Sequence, residues 1–187
     1  MVGSSWPGAV LCGGASARMG RDKALVPYQG VPMAARVAAA LREGGCAPVV
    51  AIGGDAAGLP AVGLAVVPDC WPGQGPVGGV LTALAEWPDA QVVMVVSCDV
   101  PLLTAATVRA VLRALVAAPD AFVAVAVAGR VQPLCAAWRP AAGPALLAAF
   151  EAGERRMLAV LDRLPSVQVS VDAQDVQNVN AVGDLRQ

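Results

Sequence analysis

Short apolar runs rich in Val alternate along the chain with Ala- and Leu-rich segments whose apolar positions recur at helical spacing. Brief, β-branched runs suit buried strands, whereas a 3.6-residue period places apolar side chains on one helical face. The pattern predicts strands at 8–12, 48–52, 64–67, 92–97, 122–127 and 167–171, with a further candidate at 134–138. Helices are predicted at 33–43, 77–87, 105–117, 141–151 and 156–164, with a short last one after Asn180. Gly44-Gly45, Pro88 and Pro119 stand where helix stops are expected. The run Val92-Val93-Met94-Val95-Val96 is apolar throughout, as in a strand covered on both faces of a parallel sheet. Regular alternation of strand and helix implies an α/β fold, a single-domain Rossmann-like three-layer sandwich with a mostly parallel central sheet.

Composition narrows the chemistry. At 187 residues the chain suits one domain, 1–187, able to bury a core without disulfides. Hydrophobic residues make up 57%, yet no stretch supplies the roughly 20 strongly apolar residues of a spanning helix. The first residues lack the basic region and long apolar core of a signal peptide, so a cytoplasmic chain without a membrane partner is expected. The net charge of −1 and the lack of a Lys/Arg stripe argue against nucleic acid as a partner. Five cysteines without a C-x-x-C pair argue against a disulfide framework and a zinc site. The chain has no His, which removes Ser-His-Asp and Cys-His catalysis and histidine-ligated metal together. Carboxylates, cations, backbone N–H groups and metal ions remain.

Ligands of an open α/β sheet bind beyond the carboxyl ends of its strands, so the loops that follow strands carry the information. The first strand ends in Leu11 and Cys12, and after it come Gly13, Gly14, Ser16 and Gly20, with Arg18, Arg21 and Lys23 within six residues. Glycines let backbone N–H groups approach an anion, and the cations neutralise its charge, so the loop suits a polyphosphate. Of thirteen cationic side chains twelve are Arg; the one Lys stands here, a compact charge suited to bridging phosphate oxygens. An ordinary turn with a solvated charge cluster is the competing reading. The P-loop spacing is absent, because Arg21 follows Gly20. A later stretch, 73–78, matches G-x-G-x-x-G, but it does not follow its strand directly and Pro76 removes a donor at the turn. At the end of the 92–97 strand, Cys98-Asp99-Val100-Pro101 delivers a carboxylate to the sheet rim, as a Mg²⁺ site shared with substrate phosphates requires. A helix cap is the alternative for Asp99, although Thr104 offers a better one; for Asp69 the alternative is a turn or cap carboxylate.

The first loop resembles the signature of the molybdenum cofactor guanylyltransferase family, L-x-G-G-x-S-x-R-M-G-x-D-K, through Leu11, Gly13, Gly14, Ser16, Arg18, Met19, Gly20, Asp22 and Lys23. Such a match is specific to the wider nucleotidyltransferase superfamily, and the G-G and D-K details favour its guanylyl branch. Further on, Asp69 with Gly75-Pro76-Val77-Gly78-Gly79 is similar to the family's D…G-P-L-x-G segment, and Asp99 stands at its C-D-x-P position. Ala152-Gly153-Glu154-Arg155-Arg156 is similar to A-G-E-R-R, although a Glu-Arg-Arg at a helix start is by itself ordinarily a solvated cap. Asn178-Val179-Asn180 keeps both Asn of the family's N-[VI]-N-T-P motif while Ala181 and Val182 replace its Thr and Pro.

The resemblance implies transfer of GMP from GTP to molybdopterin, giving the guanine dinucleotide form of the molybdenum cofactor and pyrophosphate. It implies catalytic roles for Arg18, Lys23 and Asp99, with Asp99 holding Mg²⁺. Nucleotide contacts are expected from Leu11, Cys12, Gly13, Gly14, Ser16, Lys23, Asp69, Gly75, Gly78 and Asp99. Arg155, Arg156, Asn178 and Asn180 become candidate contacts to the pterin phosphate. Transient contact with molybdenum cofactor insertion proteins or molybdoenzyme chaperones also belongs to that picture. Three rivals stay open: a transferase using CTP or another phosphorylated acceptor, a non-catalytic GTP-binding maturation adaptor, and an NAD-dependent oxidoreductase.

Overall fold

A computed structural model of the chain describes residues 6–13 and 22–179. Its nine strands are β1 (Trp6–Leu11), β2 (Pro27–Tyr28), β3 (Val31–Pro32), β4 (Cys46–Ile52), β5 (Val66–Val67), β6 (Val93–Ser97), β7 (Val123–Ala128), β8 (Arg130–Trp138) and β9 (Ser166–Ser170). Its helices are α1 (Met33–Glu43), α2 (Gly58–Ala61), α3 (Pro76–Glu86), α4 (Ala105–Ala117), α5 (Gly143–Glu151) and α6 (Met157–Leu161). Seven strands form one sheet in the order β5-β4-β1-β6-β8-β7-β9, and β2 and β3 make a separate hairpin. All neighbours in the large sheet are parallel except β8, which runs against both β6 and β7. The α/β architecture read from the sequence is therefore the observed one.

The alternation of side chains along each strand divides the core into two layers. On one face, Val10, Met94 and Val96 pack with Val37 and Leu41 of α1 and Val108, Leu112 and Leu115 of α4. On the other, Ala9, Leu11, Val93 and Val95 pack with α3, α5 and α6 through Val80, Leu84, Leu146, Phe150 and Val160. Because β6 is covered on both sides, its residues 93–96 are all buried. This is why its sequence shows no alternation.

Local differences from the expected elements have physical causes. The candidate strand at 134–138 begins at Arg130, since Gly129 (φ +69°) reverses the chain directly out of β7 and the hairpin extends the β8 arm. The pairing slips between Val125↔Ala136 and Ala126↔Gln132, leaving Pro133 to Cys135 as a bulge where the missing Pro N–H costs no ladder bond. The helix expected at 156–164 ends at Leu161, and the strand expected at 64–67 pairs only over Val66–Val67. The β2–β3 hairpin and the single turn of α2 are too short to leave a periodic signal. The short helix expected after Asn180 lies outside the described residues.

After β1 the chain moves to β4 and β5 on one side and returns through α3 to β6 on the other. The switch point of the sheet therefore lies between β1 and β6. Ligand crevices form at such points because the two connections leave in opposite directions.

Candidate functional site

Strand ends build the site. The Cys12 and Gly13 amides both donate to the Ile52 carbonyl, at 3.0 and 3.2 Å, and the Cys98 amide donates to the Leu11 carbonyl at 3.1 Å. These bonds tie the rims of β4, β1 and β6 together just where the first loop departs. Gly14, Ser16, Arg18 and Asn180 lie outside the described residues.

Lys23 opens a single 3-10 turn, Lys23–Leu25. Asp22 fixes that turn from both sides: its Oδ1 accepts the Ala24 amide at 3.0 Å, and its Oδ2 accepts the Asp55 amide, from the loop after β4, at 2.6 Å. So anchored, Lys23 reaches across the switch point. Its Nζ stands 2.9 Å from Asp99 Oδ2, with the two side chains 23% and 19% exposed. The first loop's lysine and the carboxylate at the end of β6 are thus in direct contact in the structure. The other oxygen, Oδ1, accepts the Ser97 hydroxyl at 2.6 Å, and the Val179 amide donates to the Asp99 carbonyl at 2.8 Å. That last bond brings Asn178, distant in sequence, to the same rim. Thr104 caps α4 by accepting the Thr107 amide, so Asp99 is not needed there.

A cleft of about 320 Å³ opens beside this pair, lined by Leu11, Gly13, Asp69, Gly75, Gly79 and Ser97 among others. The amide end of α3, with Gly75 as its cap and Pro76 in its first turn, forms part of the wall and favours negative charge there. Asp69 does two things. Its Oδ1 closes a turn by accepting the Trp71 amide and also accepts the Thr82 hydroxyl, each at 3.0 Å, while the residue lines the cleft. The turn role open to Asp69 from sequence is thus present, together with a place in the cleft wall. Gly78 packs beneath Trp71, where a Cβ would meet the Trp71 Cβ at 3.0 Å; the α3 glycine on the cleft wall is Gly79.

The groove continues past Asp99. A space of about 110 Å³ is lined by Asp99, Gln132 and Asn178, and a wider one of about 510 Å³ by Arg130, Gln132, Gln174, Gln177 and Asn178. Ser97 and Leu134 border both the first cleft and the smaller space, so the β8 bulge forms the partition. Arg155 is not on this side. Its guanidinium lies 3.7 Å over the Phe150 ring and donates to Gln74 Oε1 at 2.9 Å, next to Gly75. Arg156 pairs with Glu154 at 3.0 Å on an 81% exposed side chain. The Arg156 guanidinium, followed by backbone amides, holds the Glu154 carboxyl down at about 2. The three described residues that the resemblance linked to the pterin phosphate are therefore not one cluster: Arg155 lies by Gln74 and Gly75, Asn178 lines the spaces beyond Asp99, and Arg156 is a solvated pair.

Three buried thiols are held in the protonated form by their surroundings. A hydrogen bond with Cys98, then burial and the charge of Asp22, push the Cys12 thiol up, and burial pushes Cys46 and Cys135 up to about 12. Among the described residues no group of three or more His, Cys, Asp or Glu could enclose a metal ion. A cation here would rest on Asp99 and on oxygens brought by a ligand, which is the pattern of Mg²⁺ among phosphates. The cation already on Asp99 Oδ2 is Lys23, so the carboxylate is disposed to hold positive charge. The donor set fits such an ion.

Ser97, Thr82, Leu134, Gln132 and the Gly53-Gly54-Asp55 turn, to which the sequence motifs assign no role, border or brace these spaces. A hydroxyl two residues before Asp99 was the one available signal, and the rest become neighbours only through the sheet. No helix of the described residues is long and apolar enough to cross a membrane.

The family model for the MobA-like NTP transferase domain matches residues 8–168. A molybdenum cofactor guanylyltransferase of Xanthomonas euvesicatoria is 42% identical over 101 residues, 54% of this chain and 50% of that protein. The chain spans about half the length of the curated relatives it matches. Among solved structures, molybdopterin-guanine dinucleotide biosynthesis protein A from Archaeoglobus fulgidus superposes with a TM-score of 0.77 at 21% identity, covering 96% of this chain and 95% of that one. A Mycobacterium tuberculosis protein in complex with manganese superposes with a TM-score of 0.69 at 22% identity, covering 98% and 97%. At those identities the two structures show a shared fold.

Proposed function

Since the chain belongs to the MobA-like NTP transferase domain family, we propose that it transfers GMP from GTP to molybdopterin, releasing pyrophosphate. The observation that carries this reading is the Lys23–Asp99 pair, which Ser97 joins to a cleft whose wall includes the amide end of α3. The choice of GTP and molybdopterin rests on the relatives named molybdenum cofactor guanylyltransferase.

The nucleoside would lie in the cleft along Leu11, Gly13 and Gly79, where the two glycines leave room for a planar base against the Leu11 side chain. Asp69 presents a carboxylate to that space for a hydroxyl or ring N–H of the nucleotide. Lys23 would move from Asp99 onto the phosphates and stabilise charge on the departing pyrophosphate, with Arg18 as the second cation. Asp99 would hold a divalent ion, Mg²⁺ by preference. When bound, such an ion neutralises phosphate charge and polarises the reacting phosphoryl group. The acceptor enters from the groove lined by Gln132 and Asn178, beyond Asp99, and its terminal phosphate attacks the α-phosphorus in line. A phosphate nucleophile is already ionised, so a chain without His has no missing base.

The test is release of pyrophosphate with GTP, CTP or ATP in the presence of Mg²⁺ and molybdopterin. The expected result is release with GTP that requires both the acceptor and the metal. Equal turnover of the three nucleotides, or binding of GTP without any release, would overturn the proposal.

A further inference from the structure

Asp99 is held by two donors that divide its oxygens. The Ser97 hydroxyl stands at 2.6 Å from Oδ1, and the Lys23 ammonium stands at 2.9 Å from Oδ2. Ser97 is the last residue of β6, whose four preceding residues are buried and paired to β1 and β8, so its hydroxyl sits on a rigid element. It also lines both the nucleotide cleft and the smaller space beyond it, so it stands at the junction where two ligands would meet the metal carboxylate. A carboxylate free to rotate could offer a cation either one oxygen or both. With Oδ1 committed to a hydroxyl, a single oxygen is presented.

Resting on the transferase reading, we infer that Ser97 is a positioning residue that makes Asp99 a one-oxygen ligand and thereby sets the cation the site prefers. Small ions with a strict octahedron, such as Mg²⁺, take single carboxylate oxygens beside waters and phosphates. Larger ions such as Ca²⁺ tolerate two-oxygen chelation and irregular geometry. Ser97 therefore discriminates by restraint. Loss of the hydroxyl frees Oδ1, weakens the orientation of Oδ2 and opens the two-oxygen mode, and all three changes penalise Mg²⁺ relative to Ca²⁺. Outer partners of this type contribute substantially to metal affinity although they never touch the ion.

The test uses the full chain with GTP present and follows free Mn²⁺ by electron paramagnetic resonance, first alone and then in competition with Mg²⁺ and with Ca²⁺. Ser97→Ala should weaken Mn²⁺ binding by about 10- to 100-fold and shift the competition toward Ca²⁺. Ser97→Thr, which keeps a hydroxyl at the same position, should restore most of the affinity and the preference for Mg²⁺. A general loosening of the strand end would lower thermal stability and leave the Mg²⁺-to-Ca²⁺ preference unmoved; that outcome overturns the proposal. Unchanged Mn²⁺ binding in Ser97→Ala overturns it too, while leaving the transferase reading standing. A wild-type chain that bound no Mn²⁺ with GTP would overturn both.

Discussion

Thr82→Val removes the buried hydroxyl that braces Asp69, a residue of the cleft wall, and keeps the side chain's shape. Thr82 is 2% exposed. Its Oγ1 lies 3.0 Å from both Asp69 Oδ1 and the Gly78 carbonyl and accepts the Cys70 amide at 3.1 Å. One proton cannot serve two acceptors fully, and at equal distance the charged carboxylate takes the larger share. The variant therefore takes from Asp69 one of the two donors that hold Oδ1, and it strips the Cys70 amide of its acceptor in a partly enclosed turn. Leaving a polar group unpaired in such a place costs about 2 kcal/mol, which for a domain of this size corresponds to a fall in Tm of roughly 4–8 °C. Because Asp69 borders the cleft proposed for the nucleotide, KM for GTP should rise more than kcat falls. Thr82→Ser keeps the hydroxyl and should retain the KM while losing a smaller part of the stability. Calorimetry and steady-state kinetics with pyrophosphate detection on the three proteins decide the matter. A Thr82→Val chain with wild-type Tm and wild-type KM would refute the claim that this hydroxyl orients Asp69.

Lys23→Ala and Asp99→Asn should each lower kcat by about 100- to 1,000-fold while circular dichroism stays native, since both side chains sit at the rim and not in the core. Wild-type turnover in either would remove the roles assigned to them. Gly54→Ala places a Cβ at φ +87°, 2.8 Å from Cys12 Cβ and 3.0 Å from Asp22 Oδ2. It should cost about 1–3 kcal/mol of backbone strain and weaken GTP binding by displacing the Asp22 anchor of Lys23; unchanged urea unfolding would contradict it. The buried thiols predict alkaline sensitivity. Cys46 and Cys135 ionise near 12 in the fold against 9.0 ordinarily, so their contribution is intact below pH 9 and is lost as pH rises toward 12. Each should lower stability by about 1.4 kcal/mol per pH unit in that window. Cys135→Ala should flatten the fall, and parallel slopes in urea titrations at several pH values would argue against this cause.

Much of the architecture follows from local pattern. The 3.6-residue period of α1 and α4 and the unbroken apolar run of β6 report how each element is covered, and coverage is a property of the element itself. The same holds for Asp99: a carboxylate after a fully buried strand must surface at the sheet rim, whichever strands become its neighbours. Glycine and charge density in the first loop likewise raise the expectation of an anion site without reference to the rest of the chain.

Strand order, by contrast, belongs to the whole molecule. That β1 and β6 are adjacent, so that Lys23 and Asp99, 76 positions apart, meet at 2.9 Å, depends on α3 carrying the chain back across the sheet. The Val179–Asp99 bond and the β8 bulge place Asn178, Gln132 and Leu134 along one groove, and no local periodicity encodes that meeting. The same global packing sends Arg155 to Gln74 and leaves Arg156 paired with Glu154 in solvent. Motif spacing measures distance along the chain, whereas the site is assembled from strand ends whose proximity is settled only when both faces of the sheet bury their helices together.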